Sequence, residues 1–85
     1  CMFLKLYLYN HLRREVIIME LIKVTSSNVA AIGYENGIIE VHFHNGWAYQ
    51  YPNCNQKIFN DFLNAPSKGK FVHQVLKGHN EVRIL

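Results

Sequence analysis

Tyr34-Glu35-Asn36-Gly37-Ile38-Ile39-Glu40-Val41-His42-Phe43-His44-Asn45-Gly46-Trp47-Ala48-Tyr49-Gln50-Tyr51-Pro52 is the stretch that decides the fold. Two Asn-Gly dipeptides punctuate it. Asn and Gly both tolerate the positive φ of a type I′ turn, so each dipeptide reads as a two-residue hairpin turn. The runs around them are rich in β-branched and aromatic residues, which suit strands. Val29 to Tyr34, Ile38 to His44 and Trp47 to Tyr51 therefore form an antiparallel meander. A two-residue turn fixes the register, and the register fixes which side chains share a face. With Asn45-Gly46 as the turn, His44 lies opposite Trp47, His42 opposite Tyr49 and Glu40 opposite Tyr51. The first turn pairs Tyr34 with Ile39 and Ile32 with Val41. One face then carries Ile32, Tyr34, Ile39, Val41 and Phe43, with Ala48 and Gln50. The other carries Glu40, His42, His44, Trp47, Tyr49 and Tyr51.

Outward from this meander the pattern changes period. Ile58, Phe59, Phe62 and Leu63 fall on one helical face, with Asn55 placed to cap the helix and Asn64-Ala65-Pro66 to end it. Ser67 is the N-cap of a second helix, in which Phe71, Val72, Val75 and Leu76 repeat the spacing and Gly78 makes the stop. Glu81 to Leu85 reads as a last short strand. Upstream, Leu21 to Val24 is a strand closed by Thr25-Ser26-Ser27-Asn28. The leader fits two conformations. Phe3, Leu4, Tyr7, Leu8, His11 and Leu12 make a helical stripe, while Leu4, Leu6 and Leu8 alternate as in a strand. The expected fold is α+β: an antiparallel meander of about three to five strands with two short helices packed on the aliphatic face.

The chain has 85 residues, 49% apolar and 18% charged, with a formal charge of +3 and a pI near 9.0. That is a single folded domain with a mild basic excess, compatible with a polyanionic partner. So small a chain buries a limited core, which makes a homo-oligomer the expectation. Cys1 and Cys54 give neither a disulfide framework nor a CxxC pair, as expected of a reduced, cytoplasmic protein. No apolar run approaches the ~20 residues that span a bilayer, and no membrane role is expected. Arg13-Arg14 follow the apolar leader rather than precede it, unlike a secretory signal.

Val24-Thr25-Ser26-Ser27, Ile32-Gly33-Tyr34 and Val41-x-Phe43-x-x-Gly46-x-x-Tyr49-x-Tyr51 occur in that order, followed by Phe59-x-x-Phe62-Leu63-x-Ala65-Pro66-Ser67-x-Gly69-x-Phe71. This series resembles the KTSC domain, a small module found alone and at the C-terminus of some lysyl-tRNA synthetases. The Tyr-x-Tyr signature is short, and the ordered elements around it are more specific. The resemblance covers residues 20–78. It implies a non-enzymatic single-domain module, and the synthetase association points to RNA. Cys54 departs from the family, which often has an apolar residue or proline there. The leader before Met19 has no counterpart. Met19 is a second candidate start, so residues 1–19 read as an N-terminal extension and 20–85 as the KTSC-like domain.

The aromatic face is an unusual surface to leave in water. Either it is an open platform or it is covered by the N-terminal segment, the C-terminal strand or another protomer. Aromatic side chains on a strand stack nucleobases. Ser67, Lys68, Gly69 and Lys70 open the second helix, as an ordinary cap or as a phosphate contact, without P-loop spacing. His42 and His44 lack a third ligand nearby, and no metal or cofactor is expected. Cys54 with a distant histidine is the one nucleophile–base pair on offer, and no local signature supports it. The function expected is nucleic-acid binding, with RNA favoured. Trp47, Tyr49, Tyr51, His42 and His44 supply the aromatic face, and Ser67, Lys68 and Lys70, aided by Lys77 or Arg83, hold phosphates. The alternatives are a homo-oligomeric binder of a small phosphorylated, nucleotide-like ligand, and a structural protein-interaction module with the aromatics buried in a dimer.

Overall fold

The computed structural model describes the backbone of residues 3–10 and 15–85 and the side chains from Glu20 onward. Cys1, Met2 and His11 to Arg14 lie outside the described residues, and of the two conformations open to the leader Phe3–Asn10 takes the strand. Those residues form strand β1, antiparallel to β2 (Glu15–Lys23). The meander continues through β3 (Val29–Glu35), β4 (Ile38–Phe43) and β5 (Ala48–Tyr51). Helices α1 (Gln56–Asn64) and α2 (Lys68–Gln74), a 3-10 turn at Leu76–Gly78 and the short strand β6 (Val82–Arg83) complete the chain. The sheet order is β1-β2-β3-β4-β5-β6, all antiparallel. Strands β2–β6 make the five at the upper end of the expected range, and β1 adds an edge. The α+β fold with two helices on one face is as expected.

The helices form where capping chemistry allows. Asn55 takes an extended backbone and its side chain accepts the Ile58 N–H at 2.9 Å. Ala65 is extended, as a residue before proline prefers, and ends α1. Ser67 Oγ accepts the Lys70 N–H at 3.3 Å and starts α2. Phe59 and Phe62 from α1, Val72 from α2 and Leu76 pack on Ile32, Ile39 and Val41 of the sheet. Phe62 stacks on Phe71 at 5.0 Å and Tyr34 on Phe59 at 5.4 Å, which joins the helices to each other and to the sheet.

The first hairpin has the expected register: Asn36 and Gly37 have φ of 50° and 78°, and Tyr34 faces Ile39. The second does not. Ile39 pairs with Tyr51, Glu40 with Gln50, Val41 with Tyr49 and His42 with Ala48. Phe43 N donates to Trp47 O at 2.8 Å, so the loop has three residues, His44-Asn45-Gly46, and not two. Gly46 alone takes positive φ, at 92°, as in a turn closed by a bulge glycine. This one-residue shift moves every side chain of β5 to the other face. Trp47, Tyr49 and Tyr51 therefore join Ile39, Val41 and Phe43 on the helix side. Glu40, His42, Ala48 and Gln50 lie together on the opposite side.

A second irregularity works on β3. The register slips by one residue between Val29 and Ala31. Val29 and Ile32 thereby both enter the helix-side core, while Ala31 clusters with Leu21 on the other face.

Candidate functional site

The aromatic row grades from core to solvent. Tyr51 is fully buried, Tyr49 is half-buried and Trp47 is 43% exposed. Tyr49 meets Phe43 edge-on at 5.8 Å, lies 6.5 Å from Tyr51 and 6.3 Å from Trp47. The Tyr51 hydroxyl donates to Glu81 Oε1 at 2.7 Å. Burial, then this bond to Glu81, pushes its pKa well above the ordinary tyrosine value. Arg83 projects from β6, where it pairs with Tyr49, and its guanidinium carbon lies 3.7 Å from the centre of the Trp47 ring. An exposed cation–π contact of this kind is worth ~0.5–1 kcal/mol.

Beside this row the helix side opens into a cleft of about 500 Å³. Four separate pieces of chain build it. Phe43, His44, Asn45, Trp47 and Tyr49 come from the end of the β4–β5 hairpin. Ser27 and Asn28 come from the β2–β3 loop, Gly69, Val72 and His73 from α2, and Lys77 and Glu81 from the chain that follows. Local hydrogen bonds fix the walls. Ser26 Oγ accepts the Val29 N–H at 3.2 Å and shapes the β2–β3 loop. His44 ties that loop to the hairpin: its backbone N–H donates to Asn28 O at 3.0 Å, and its Nε2 donates to Ser26 O at 2.9 Å. Asn45 Oδ1 accepts the Trp47 N–H at 2.9 Å. Gly69 lets α2 approach, because a Cβ there would lie 3.2 Å from the Asn28 amide nitrogen. A smaller cleft of about 330 Å³ adjoins, sharing Ser27, Asn28, Gly69 and His73 and adding Ser26, Ser67, Lys70 and Gln74.

The structure thus brings Trp47, Tyr49 and His44 together in one cleft and places Ser67 and Lys70 in the next. It separates the others. Tyr51 is core. His42 sits on the opposite sheet face, its Nε2 2.5 Å from Glu40 Oε2, and Gln50 Nε2 donates to Glu40 Oε1 at 2.9 Å. These two bonds satisfy a Glu40 carboxyl with no solvent exposure, as a buried polar group requires. Lys68 Nζ donates to Ala65 O at 2.7 Å, across the turn between the helices. Ser67 Oγ is engaged as a cap, and Lys70 is exposed.

Sequence reasoning missed Asn28, Asn45, His73 and Glu81. A buried tyrosine needs a partner for its hydroxyl, but nothing in the sequence marks Glu81 rather than Glu40 or a histidine as that partner. Among the described residues no three His, Cys, Asp or Glu side chains converge as a metal site. Cys54 is buried, donates weakly to Pro52 O at 3.6 Å, and burial pushes its thiol pKa up, away from the reactive thiolate. Among the described residues no helix is long and apolar enough to cross a membrane.

The sequence model of the KTSC domain matches residues 25–79. The crystal structure of a KTSC domain protein from Yersinia pestis is similar, with a TM-score of 0.67 and 33% identity over 78% of this chain and 94% of that one. No curated protein matches significantly.

Proposed function

This chain belongs to the KTSC domain family, and we propose that it is a non-enzymatic module that binds single-stranded nucleic acid, RNA foremost. The observation that carries this reading is the convergence of Trp47 and Tyr49 with Lys77 on one open cleft. A base entering the cleft stacks on the Trp47 ring, an interaction worth ~1–3 kcal/mol. Lys77 in the wall and Lys70 in the adjoining cleft are the phosphate contacts, and the +3 net charge favours a polyanion. The register allows one base at the cleft rather than three along an open strand.

Trp47 is the sole tryptophan, so its fluorescence reports the site directly. The expected outcome is that mixed RNA oligonucleotides quench it at low salt and that Trp47→Ala weakens binding in an anisotropy titration. With two phosphates neutralised on a single strand, affinity falls about sevenfold between 50 and 200 mM salt. Absence of binding to RNA and DNA oligonucleotides at low salt overturns the reading.

The concavity of the cleft favours a second reading. Its volume lies in the usual range of small-ligand pockets, so a phosphorylated, nucleotide-like small molecule also fits, with the protein as a homo-oligomer. Native mass spectrometry separates the two: a retained small ligand in a multimer supports this second reading, and a ligand-free monomer supports the first.

A further inference from the structure

We propose that the cleft selects guanine, read by the carboxylate of Glu81; this rests on the nucleotide-binding reading above. Three observations on Glu81 converge. It lines the same cleft as Trp47 and Tyr49. Its Oε1 is held by the Tyr51 hydroxyl, which projects from the core. Among the described residues it has no ion-pair partner. Asn80, with φ of 54°, turns the chain after the 3-10 turn and presents Glu81.

A bare carboxylate beside a site for an anionic ligand lowers affinity unless the ligand brings donors to it. Hydrogen-bond chemistry says which base does so. An ionised carboxylate only accepts, through two oxygens with about four lone-pair sites. The bond from Tyr51 therefore leaves capacity on both oxygens. The Watson–Crick edge of guanine presents two adjacent donors, N1–H and the N2 amine, which match the two oxygens. Adenine and cytosine each offer one amine donor beside a ring nitrogen lone pair, which repels a carboxylate. Uracil offers one N–H between two carbonyl oxygens. A site built on buried or fixed polar groups rejects ligands that cannot complete its bonds. Trp47 and Tyr49 supply the stacking surface, which every base shares, so Glu81 is where discrimination enters. Guanine reaches the cleft either as a free nucleotide or within a single strand, and the experiment has an arm for each.

The test is titration of Trp47 fluorescence with GMP, IMP, AMP, CMP and UMP, and with pentauridylate-type RNAs carrying a central G or A. GMP binds at least tenfold more tightly than AMP, CMP and UMP, and IMP, which lacks the N2 amine, falls between. If the single strand is the source, the same ratio appears between the G and A oligonucleotides. Glu81→Gln keeps an oxygen for the Tyr51 hydroxyl but loses the second acceptor and the charge, so it removes most of the preference for G while the domain stays folded, with a thermal midpoint lowered by only a few degrees. Binding that is equal for all bases, or a preference unchanged in Glu81→Gln, overturns guanine selection while leaving the binding module standing. No quenching by any nucleotide or oligonucleotide overturns both.

Discussion

Replacing Tyr51 with phenylalanine tests the register of the sheet and the anchoring of Glu81 in one variant. Tyr51 is fully buried and its hydroxyl donates to Glu81 at 2.7 Å. A hydrogen bond to a charged group contributes ~1.5–3 kcal/mol, but Glu81 is exposed and water rehydrates its carboxylate in the variant. The loss at neutral pH is therefore about 1.5 kcal/mol, at the low end of that range. A pH dependence accompanies it. Burial raises the Tyr51 pKa in the folded chain above its ordinary 10.0. Above pH 10 the unfolded chain has lost a proton that the folded chain keeps, so this group's stabilisation falls as pH rises. By pH 11 the fall amounts to about 1.4 kcal/mol. Tyr51→Phe lacks that titration, and the burial of Cys54 acts equally in both chains. Urea unfolding followed by circular dichroism from pH 7 to 11 should show two stability curves that start apart and converge near pH 11. Equal stability at pH 7 would return Tyr51 to the surface, and parallel curves would remove its hydroxyl from a buried bond.

Gly46→Ala should lower stability by about 1–2 kcal/mol in urea titrations, because only the left-handed backbone resists it; Gly78→Ala, free of that constraint and with open space around it, should be close to neutral. His42→Ala removes one of the two partners of the buried Glu40 and should cost about 2–3 kcal/mol, less than a fully buried ion pair because His42 is partly exposed; a loss under 0.5 kcal/mol by the same assay would refute the role given to Glu40. Asn55→Ala removes the α1 cap and should cost about 1 kcal/mol, read as a lower thermal midpoint.

The two Asn-Gly dipeptides show where the sequence was legible and where it was not. Asn36-Gly37 closes its hairpin with local chemistry alone, and both residues adopt positive φ. At Asn45-Gly46 the same dipeptide is overruled by contacts from a distant loop. His44 is held by Asn28 O and Ser26 O, and the Asn45 side chain accepts the Trp47 N–H, so His44 leaves the ladder and the loop gains a residue. The bulge at Val29 is also set by packing, which draws Val29 and Ile32 into one core. The helices were readable from Asn55, Pro66 and Ser67 because capping is local. The cleft was not, since Asn28, Asn45, Gly69 and Glu81 meet only after folding. Trp47 and Tyr49 were legible as candidates, but their neighbours were not.

The Tyr-x-Tyr spacing acquires a physical meaning from this register. Residues two apart on a strand share a face, so Trp47, Tyr49 and Tyr51 form one row on the helix side. The row crosses from core to solvent, and its members do different things. Tyr51 is a core residue that carries a hydroxyl to Glu81. Tyr49 packs between Phe43 and Tyr51 while its remaining surface walls the cleft. Trp47 alone is mainly a surface ring. Truncating either tyrosine therefore removes packing along with any ligand contact: a large-to-small change at a buried aromatic such as Tyr51 costs ~3–5 kcal/mol, and less at half-buried Tyr49. On a domain this small, whose whole stability is ~4–13 kcal/mol, such a loss takes a large share of it, so weakened binding in that variant does not by itself report on the cleft. The signature is thus read as a strut between the core and one wall of the cleft. Trp47 and Glu81, the two ends of the apparatus that solvent reaches, are where binding can be changed without changing the fold.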